Sequence, residues 1–214
     1  MAEVNIIWDW NGTLLDDLKL CLESINSLLN RRNLPLLNQH AYQQVFSFPV
    51  KDYYAAIGFD FSREDFSTPA QEFIDLYNSG VKECGLQSAA IDILSFFKKE
   101  GARQFILSAM QQDMLISTLK HNNILHFFEG IAGLNDHYAT SKIDRGIELI
   151  NAYRINRNNT WMLGDTIHDF EVSEALNIRC ILIANGHQSH HRLTKTGAIV
   201  VDDLNSLLKK YPFS

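Results

Sequence analysis

Six short apolar runs punctuate the chain, at residues 4–8, 104–107, 130–133, 160–163, 179–184 and 198–201. Runs of this length, bounded by turn-forming residues and apolar at successive positions, read as strands buried on both faces. Between them lie stretches with helical periodicity. Residues 89–99 are one, with Ser88 placed as an N-cap and Gly101 just past the end. Strand followed by helix, repeated, predicts an α/β fold: a Rossmann-like parallel sheet covered on both faces.

The first interval breaks this rhythm. The first run ends at residue 8 and the second begins at 104, whereas a strand–helix–strand unit needs roughly 30 residues. Residues 16–83 are helical by pattern: "LKLCLESINSLLNRR" carries apolar residues at helical spacing, and Pro69 after Ser67 and Thr68 marks a helix start. The expected organisation is an all-helical cap domain at 16–83, inserted into a core domain made of 1–15 and 84–214.

Composition narrows the function classes. The chain has 214 residues, 46% of them hydrophobic, enough for a core domain with a modest insertion. A net charge of -6 without a run of Lys or Arg argues against a general affinity for nucleic acid or anionic membranes. "MAEVNIIWDW" shows no basic leader, and no stretch approaches the roughly 20 apolar residues of a membrane span, so the expected location is the cytoplasm. Cys21, Cys84 and Cys180 have no metal-ligand spacing and read as reduced thiols.

Parallel sheets bind ligands beyond the carboxyl ends of their strands. Asp9 closes the first run, Ser108 the second and Asp165 the fourth, while Lys142 follows the third after a loop. Two carboxylates at a strand edge suit Mg²⁺, a hard cation that lets an anionic substrate approach an anionic nucleophile. A hydroxyl and an ammonium would bind phosphoryl oxygens. Asp169, four residues beyond Asp165, can support the metal if a helix begins there.

These residues resemble the haloacid dehalogenase superfamily (HAD), and within it the phosphoglycolate phosphatase-like branch with an inserted helical cap. The family's Asp-x-Asp-Gly-Thr-Leu is similar to "DWNGTL" at Asp9–Leu14. Its second motif resembles Ser108 in "ILSAM", its third Lys142, and its fourth, Gly-Asp-x-x-x-Asp, "GDTIHD" at Gly164–Asp169. Four motifs in order at successive strand ends are far more specific than any one. The resemblance implies a HAD-like core and a Mg²⁺-dependent phosphatase acting on a small phosphorylated metabolite. Asp9 would be the nucleophile forming an aspartyl-phosphate, and Thr13 would orient it. Asp9, Asp165, Asp169 and the main-chain carbonyl of Asn11 would hold the metal. Ser108, Ala109 and Lys142 would bind phosphate, and the cap loop, with Phe48, Pro49 and Lys51, would read the leaving group. Ile143 stands where a proline often follows the motif lysine.

The larger departure is Asn11, where the family carries the aspartate that serves as general acid and base. An amide neither gives nor takes a proton near neutral pH, and such assistance contributes ~10²–10⁴-fold. Three readings follow: a phosphatase acting on a good leaving group, such as an acyl or aryl phosphate, or borrowing Asp16, Asp17 or His168; a phosphonoacetaldehyde hydrolase-like enzyme using Lys51; or a non-catalytic phosphate-binding protein. The histidines of "GHQSHH" read as an exposed loop rather than a metal site, and Phe46, Phe48, Tyr53 and Tyr54 as cap core.

Overall fold

The computed structural model describes residues 4–134 and 141–210. Six strands, β1 (Asn5–Trp8), β2 (Arg103–Gln111), β3 (Gly130–Leu134), β4 (Thr160–Gly164), β5 (Arg179–Ile183) and β6 (Ile199–Val201), form one all-parallel sheet. Their spatial order is β3-β2-β1-β4-β5-β6, so the chain crosses from one half of the sheet to the other beside β1. The strand following that crossing, β4, and β1 itself therefore open onto the crevice where such sheets bind ligands.

Alternation along β1 explains why its run is apolar throughout. Ile6 and Trp8 belong to one core cluster with Ile93 and Phe97, whereas Ile7 belongs to a second with Phe105, Leu107 and Met162. The first face is covered by α5 (Ala90–Lys99), α6 (Gln112–His121) and α10 (Leu204–Lys210), the second by α7 (Lys142–Tyr153) and α8 (Ile167–Ala175), while the buried side of α1 (Leu18–Arg31) extends the first cluster. The expected two-sided α/β architecture is what the chain adopts.

Between β1 and β2 the chain is helical, as its periodicity predicts. After α1 come α2 (Gln39–Val45), α3 (Val50–Ala56) and α4 (Ser67–Gly80), and α4 packs along α1. Asp65 accepts hydrogen bonds from both the amide and the hydroxyl of Ser67, which fixes the start of α4, and Pro69 sits inside its first turn, where no amide donor is required. The last short helix, α9 (His190–Leu193), follows β5. No helix among the described residues is long and apolar enough to cross a membrane, and all three cysteines are free thiols.

Two local expectations are corrected. Ser88 does not cap α5; the capping position is Ala89, in the left-handed region at φ 64°, and no side chain caps it. β2 does not close at Ser108 but continues to Gln111, with an irregular register against β3 between Leu107 and Gln111.

One buried polar bridge ties the central strands to the helix that covers them. Trp8 donates its indole N–H to Gln104 Oε1 at 3.1 Å, and Gln104 Nε2 donates to the Leu94 carbonyl at 2.9 Å. Gln104→Met keeps the volume but orphans both groups, so it should cost about 2 kcal/mol. Urea denaturation checks this; an unchanged midpoint would show that the bridge contributes nothing.

Candidate active site

Asp9 leaves β1 directly into the crevice, its amide still paired to the Leu163 carbonyl at 2.8 Å. Lys142 is the first residue of α7, which is started by a capping box between Ser141 and Asp144. From there its buried ammonium reaches Asp9 Oδ1 at 2.5 Å and Asp169 Oδ1 at 2.6 Å. Ile143, in the place of the family's proline, packs against the second core cluster, so an apolar anchor holds the turn that presents the lysine.

Asp169 has two jobs in the first turn of α8. Its Oδ2 accepts from the amides of Asp165 and Thr166 and from the Thr166 hydroxyl, completing a capping box, while Oδ1 receives Lys142. Asp165 lies just outside that helix and is fully buried. It accepts the Thr13 hydroxyl at 3.0 Å and the His187 amide at 2.6 Å. The Thr13 hydroxyl is thus directed at Asp165, not at Asp9 as expected. Gly12, at φ 71°, makes room for this approach: a Cβ there would collide with the Asp165 carboxylate and the His187 ring.

The site is short of positive charge. Oxygens of Asp9, Asp165 and Asp169 lie within 4.8 Å of one another. Burial, then the neighbouring carboxylates, push Asp9 upward against the pull of Lys142, and burial and Asp169 raise Asp165 against the pull of His187. Burial would lower Lys142, but Asp169 and Asp9 outweigh it and hold the ammonium protonated. One ammonium among three buried carboxylates leaves an excess of hard oxygen donors, which suits a divalent cation. The donor set therefore fits Mg²⁺ and other hard ions.

Asn11 does not point idly from its turn. Its amide donates to Asp17 Oδ2 at 2.7 Å and to the Tyr77 hydroxyl at 2.6 Å, and its oxygen lies 3.4 Å from the Ser108 hydroxyl. Asp17, fully buried, also accepts Tyr77 at 2.7 Å, the Gly12 amide at 2.8 Å and His187 Nε2 at 3.1 Å. Burial alone would raise Asp17; His187 and these donors hold it below the usual carboxylate range. Burial likewise opposes charge on His187, yet Asp17 raises it to about 9, so the pair is ionised at neutral pH. Cys21 stands beside them, its thiol 3.7 Å from Asp17.

Sequence spacing brings Asp9, Ser108, Lys142, Asp165 and Asp169 to the same crevice, and the fold does so too. Ala109, exposed beyond Ser108, lines the cavity above Asp9, as do Phe48 and Lys51. The Lys51 ammonium lies over the Phe61 ring, 5.8 Å from its centroid. Of the three acids considered for Asn11's place, Asp16 is exposed, His168 stacks beside Phe48, and only Asp17 touches Asn11. His187, His190 and His191 do not converge: His187 is buried against Asp17, while the other two are exposed. Tyr42 and Tyr77 join this network from α2 and α4. No short motif marks them, because their contacts span 145 and 60 positions of the chain.

The match to the family of haloacid dehalogenase-like hydrolases runs over residues 6–183. Among solved structures, the chain superposes on a haloacid dehalogenase-like family hydrolase from Streptococcus pneumoniae with TM-score 0.82 at 19% identity, over 98% of this chain and 99% of that one. A predicted phosphatase from Clostridium acetobutylicum gives 0.81 at 20%, over 98% of both chains. CbbY from Rhodobacter sphaeroides, in complex with phosphate, gives 0.72 at 15%, over 96% of both. No curated protein matches by sequence. At these identities the structural likeness speaks for the fold, and the family match, which takes in β1 to β5 and the strand-end acids, speaks for descent. The chain is a member of the haloacid dehalogenase-like hydrolase family.

Proposed function

We propose that the protein is a Mg²⁺-dependent phosphatase that hydrolyses a small phosphorylated metabolite through an aspartyl-phosphate on Asp9. The observation that carries this reading is the Asp9 carboxylate at the mouth of β1, clamped by the buried Lys142 ammonium and facing a cavity of about 620 Å³. Asp9, Asp165, Asp169 and the Asn11 carbonyl would hold the cation, which when bound offsets the charge of the phosphoryl group and the carboxylates.

The residues then divide the work. An Asp9 oxygen attacks phosphorus, the bond to the leaving oxygen breaks, and the electron pair departs with that oxygen. Lys142 both aims Asp9 and neutralises charge on the phosphoryl oxygens, with Ser108 and the backbone at Ala109 as further donors. Water then attacks the aspartyl-phosphate, releasing phosphate and restoring the carboxylate. Thr13, through Asp165, keeps the metal carboxylate in place. Residues 16–83 serve as the cap over a core of 1–15 and 84–214; in support, every strand lies outside that interval, and Phe48 and Lys51 reach the cavity from it.

Asn11 is what separates this site from one that protonates its own leaving group. An aspartate there would set a carboxylate 2.7 Å from the buried Asp17 carboxylate and would remove a donor from both Asp17 and Tyr77. The amide is therefore the side chain that an ionised Asp17 demands.

Two outcomes test these assignments. Asp9→Asn should reduce Mg²⁺-dependent phosphate release from an aryl phosphate to background while circular dichroism stays unchanged; turnover near that of the natural protein would remove Asp9 as nucleophile. Asn11→Asp should lose about 1–3 kcal/mol of stability in urea titrations. In the same variant, hydrolysis of alkyl phosphates should rise more than that of aryl phosphates, by ~10²-fold. Equal gains on both would refute the leaving-group role given to position 11.

A further inference from the structure

The cavity above Asp9 has a polar floor and aromatic walls. Its charged floor consists of Asp9, Asp17, Lys142, Asp169 and His187, all buried. The walls rise through Phe46, Tyr53, Phe66, Phe73, Met110 and Met114. Phe46 lies 5.3 Å from Tyr53 and 5.3 Å from the His187 ring, centroid to centroid, so the aromatic wall begins where the polar floor ends. At about 620 Å³ the space far exceeds a phosphoryl group and matches an organic ligand of moderate size.

Beside a few polar side chains such as Asn78 and Gln111, the walls present mostly apolar surface. Among the described residues no arginine lines the cavity, and Lys51, which does, is exposed with its ammonium 5.8 Å from the Phe61 ring centroid. A sugar or carboxylate-bearing leaving group would shed its hydration against surface that is mostly apolar. A flat ring would instead meet ring faces, ring edges and the thioethers of Met110 and Met114. A second, independent observation selects the same chemistry. Asn11 supplies no proton to the departing oxygen, which penalises an alkoxide and spares a phenolate, whose conjugate acid is far stronger.

We propose that the natural substrate is the phosphate monoester of a phenol, with the phosphoryl group on the Asp9–Lys142 floor and the aromatic leaving group between the walls. This rests on the phosphatase reading above and adds to it the class of leaving group. In the first step the Asp9 oxygen–phosphorus bond forms as the phosphorus–aryl oxygen bond breaks. The phenolate carries away the electron pair and takes its proton from water.

The test separates the cavity from the chemistry. With Mg²⁺ present, calorimetry on the natural protein compares 1-naphthylmethylphosphonate with methylphosphonate, which share a head group and cannot be hydrolysed. The aromatic compound should bind at least roughly 100-fold tighter, and Phe73→Asn should shrink that ratio. In parallel, phosphate release is followed from acetyl phosphate, 1-naphthyl phosphate and glycerol 3-phosphate, with Asp9→Asn as blank. Naphthyl phosphate should exceed glycerol 3-phosphate in kcat/KM by roughly 100-fold or more. If acetyl phosphate is hydrolysed but the two phosphonates bind alike and naphthyl phosphate has no advantage, the aryl assignment falls and the phosphatase reading stands. If nothing is hydrolysed yet the naphthyl phosphonate binds far tighter, the aromatic site stands and the phosphatase reading falls. Equal binding with no turnover overturns both.

Discussion

The buried ammonium of Lys142, held between Asp9 at 2.5 Å and Asp169 at 2.6 Å, is the contact around which the remaining geometry is arranged. Removing three carboxylates from water at the end of a sheet is costly unless charge and hydrogen bonds compensate. The fold meets this demand with elements distant in sequence: β1 delivers one acid, β4 and the first turn of α8 deliver two, and α7, packed over β2 and β3, delivers the cation. Asp169 is fixed by three donors of its own helix start before it meets Lys142. The lysine is therefore positioned by a preformed acceptor and in turn aims Asp9. Removing one member leaves a buried charge without its partner, which ties the stability of this end of the sheet to the machinery of the site.

A second charge pair explains the departure at position 11. Asp17 and His187 ionise together in the interior, and each needs neutral donors or acceptors to fill its remaining valences. Asn11, Tyr77 and the Gly12 amide do this for Asp17, and Tyr42 does it for His187 at 3.1 Å. The residue that forgoes acid–base chemistry is the same residue that makes an ionised Asp17 tolerable beside the floor. Function and stability at this position are two consequences of one hydrogen bond.

Most of the sheet was legible because its strands are buried on both faces and so leave uninterrupted apolar runs, as at Ile6–Trp8. Asp9 and Asp165 were legible because each stands at the end of such a run, and Asp169 because it lies four residues beyond Asp165. Helical periodicity marked the insertion, although not how its helices pack. What could not be read depended on contacts between distant residues. Tyr77 meets Asp17 across 60 positions, and His187 meets it across 170. A histidine in "GHQSHH" carries no sign that it alone turns inward. The extension of β2 past Ser108 was hidden for a local reason: polar residues continue a strand whose register has slipped. Phe46 and Tyr53 read as core because aromatic residues usually are; in this fold they pack together and still face a cavity, which periodicity cannot distinguish.

The floor and the walls of the cavity are joined by weaker bonds than those within the floor. The carbonyl of Phe46, on the wall, accepts from Arg192 at 2.6 Å and from Gln188 at 2.9 Å, and Gln43 pairs with Gly186 and Ser189. Gln188 also accepts the amide of Ile167 at the start of α8, the helix that carries Asp169. One short stretch, Gly186 to Gln188, thus touches the wall through Gln188, the Asp165 carboxylate through the His187 amide, and Asp17 through the His187 ring. The contacts between neutral groups among these are each worth about 1 kcal/mol net, whereas separating Lys142 or His187 from its carboxylate strands a buried charge at several times that cost. The ion pairs therefore hold the floor more firmly than these neutral bonds hold the wall.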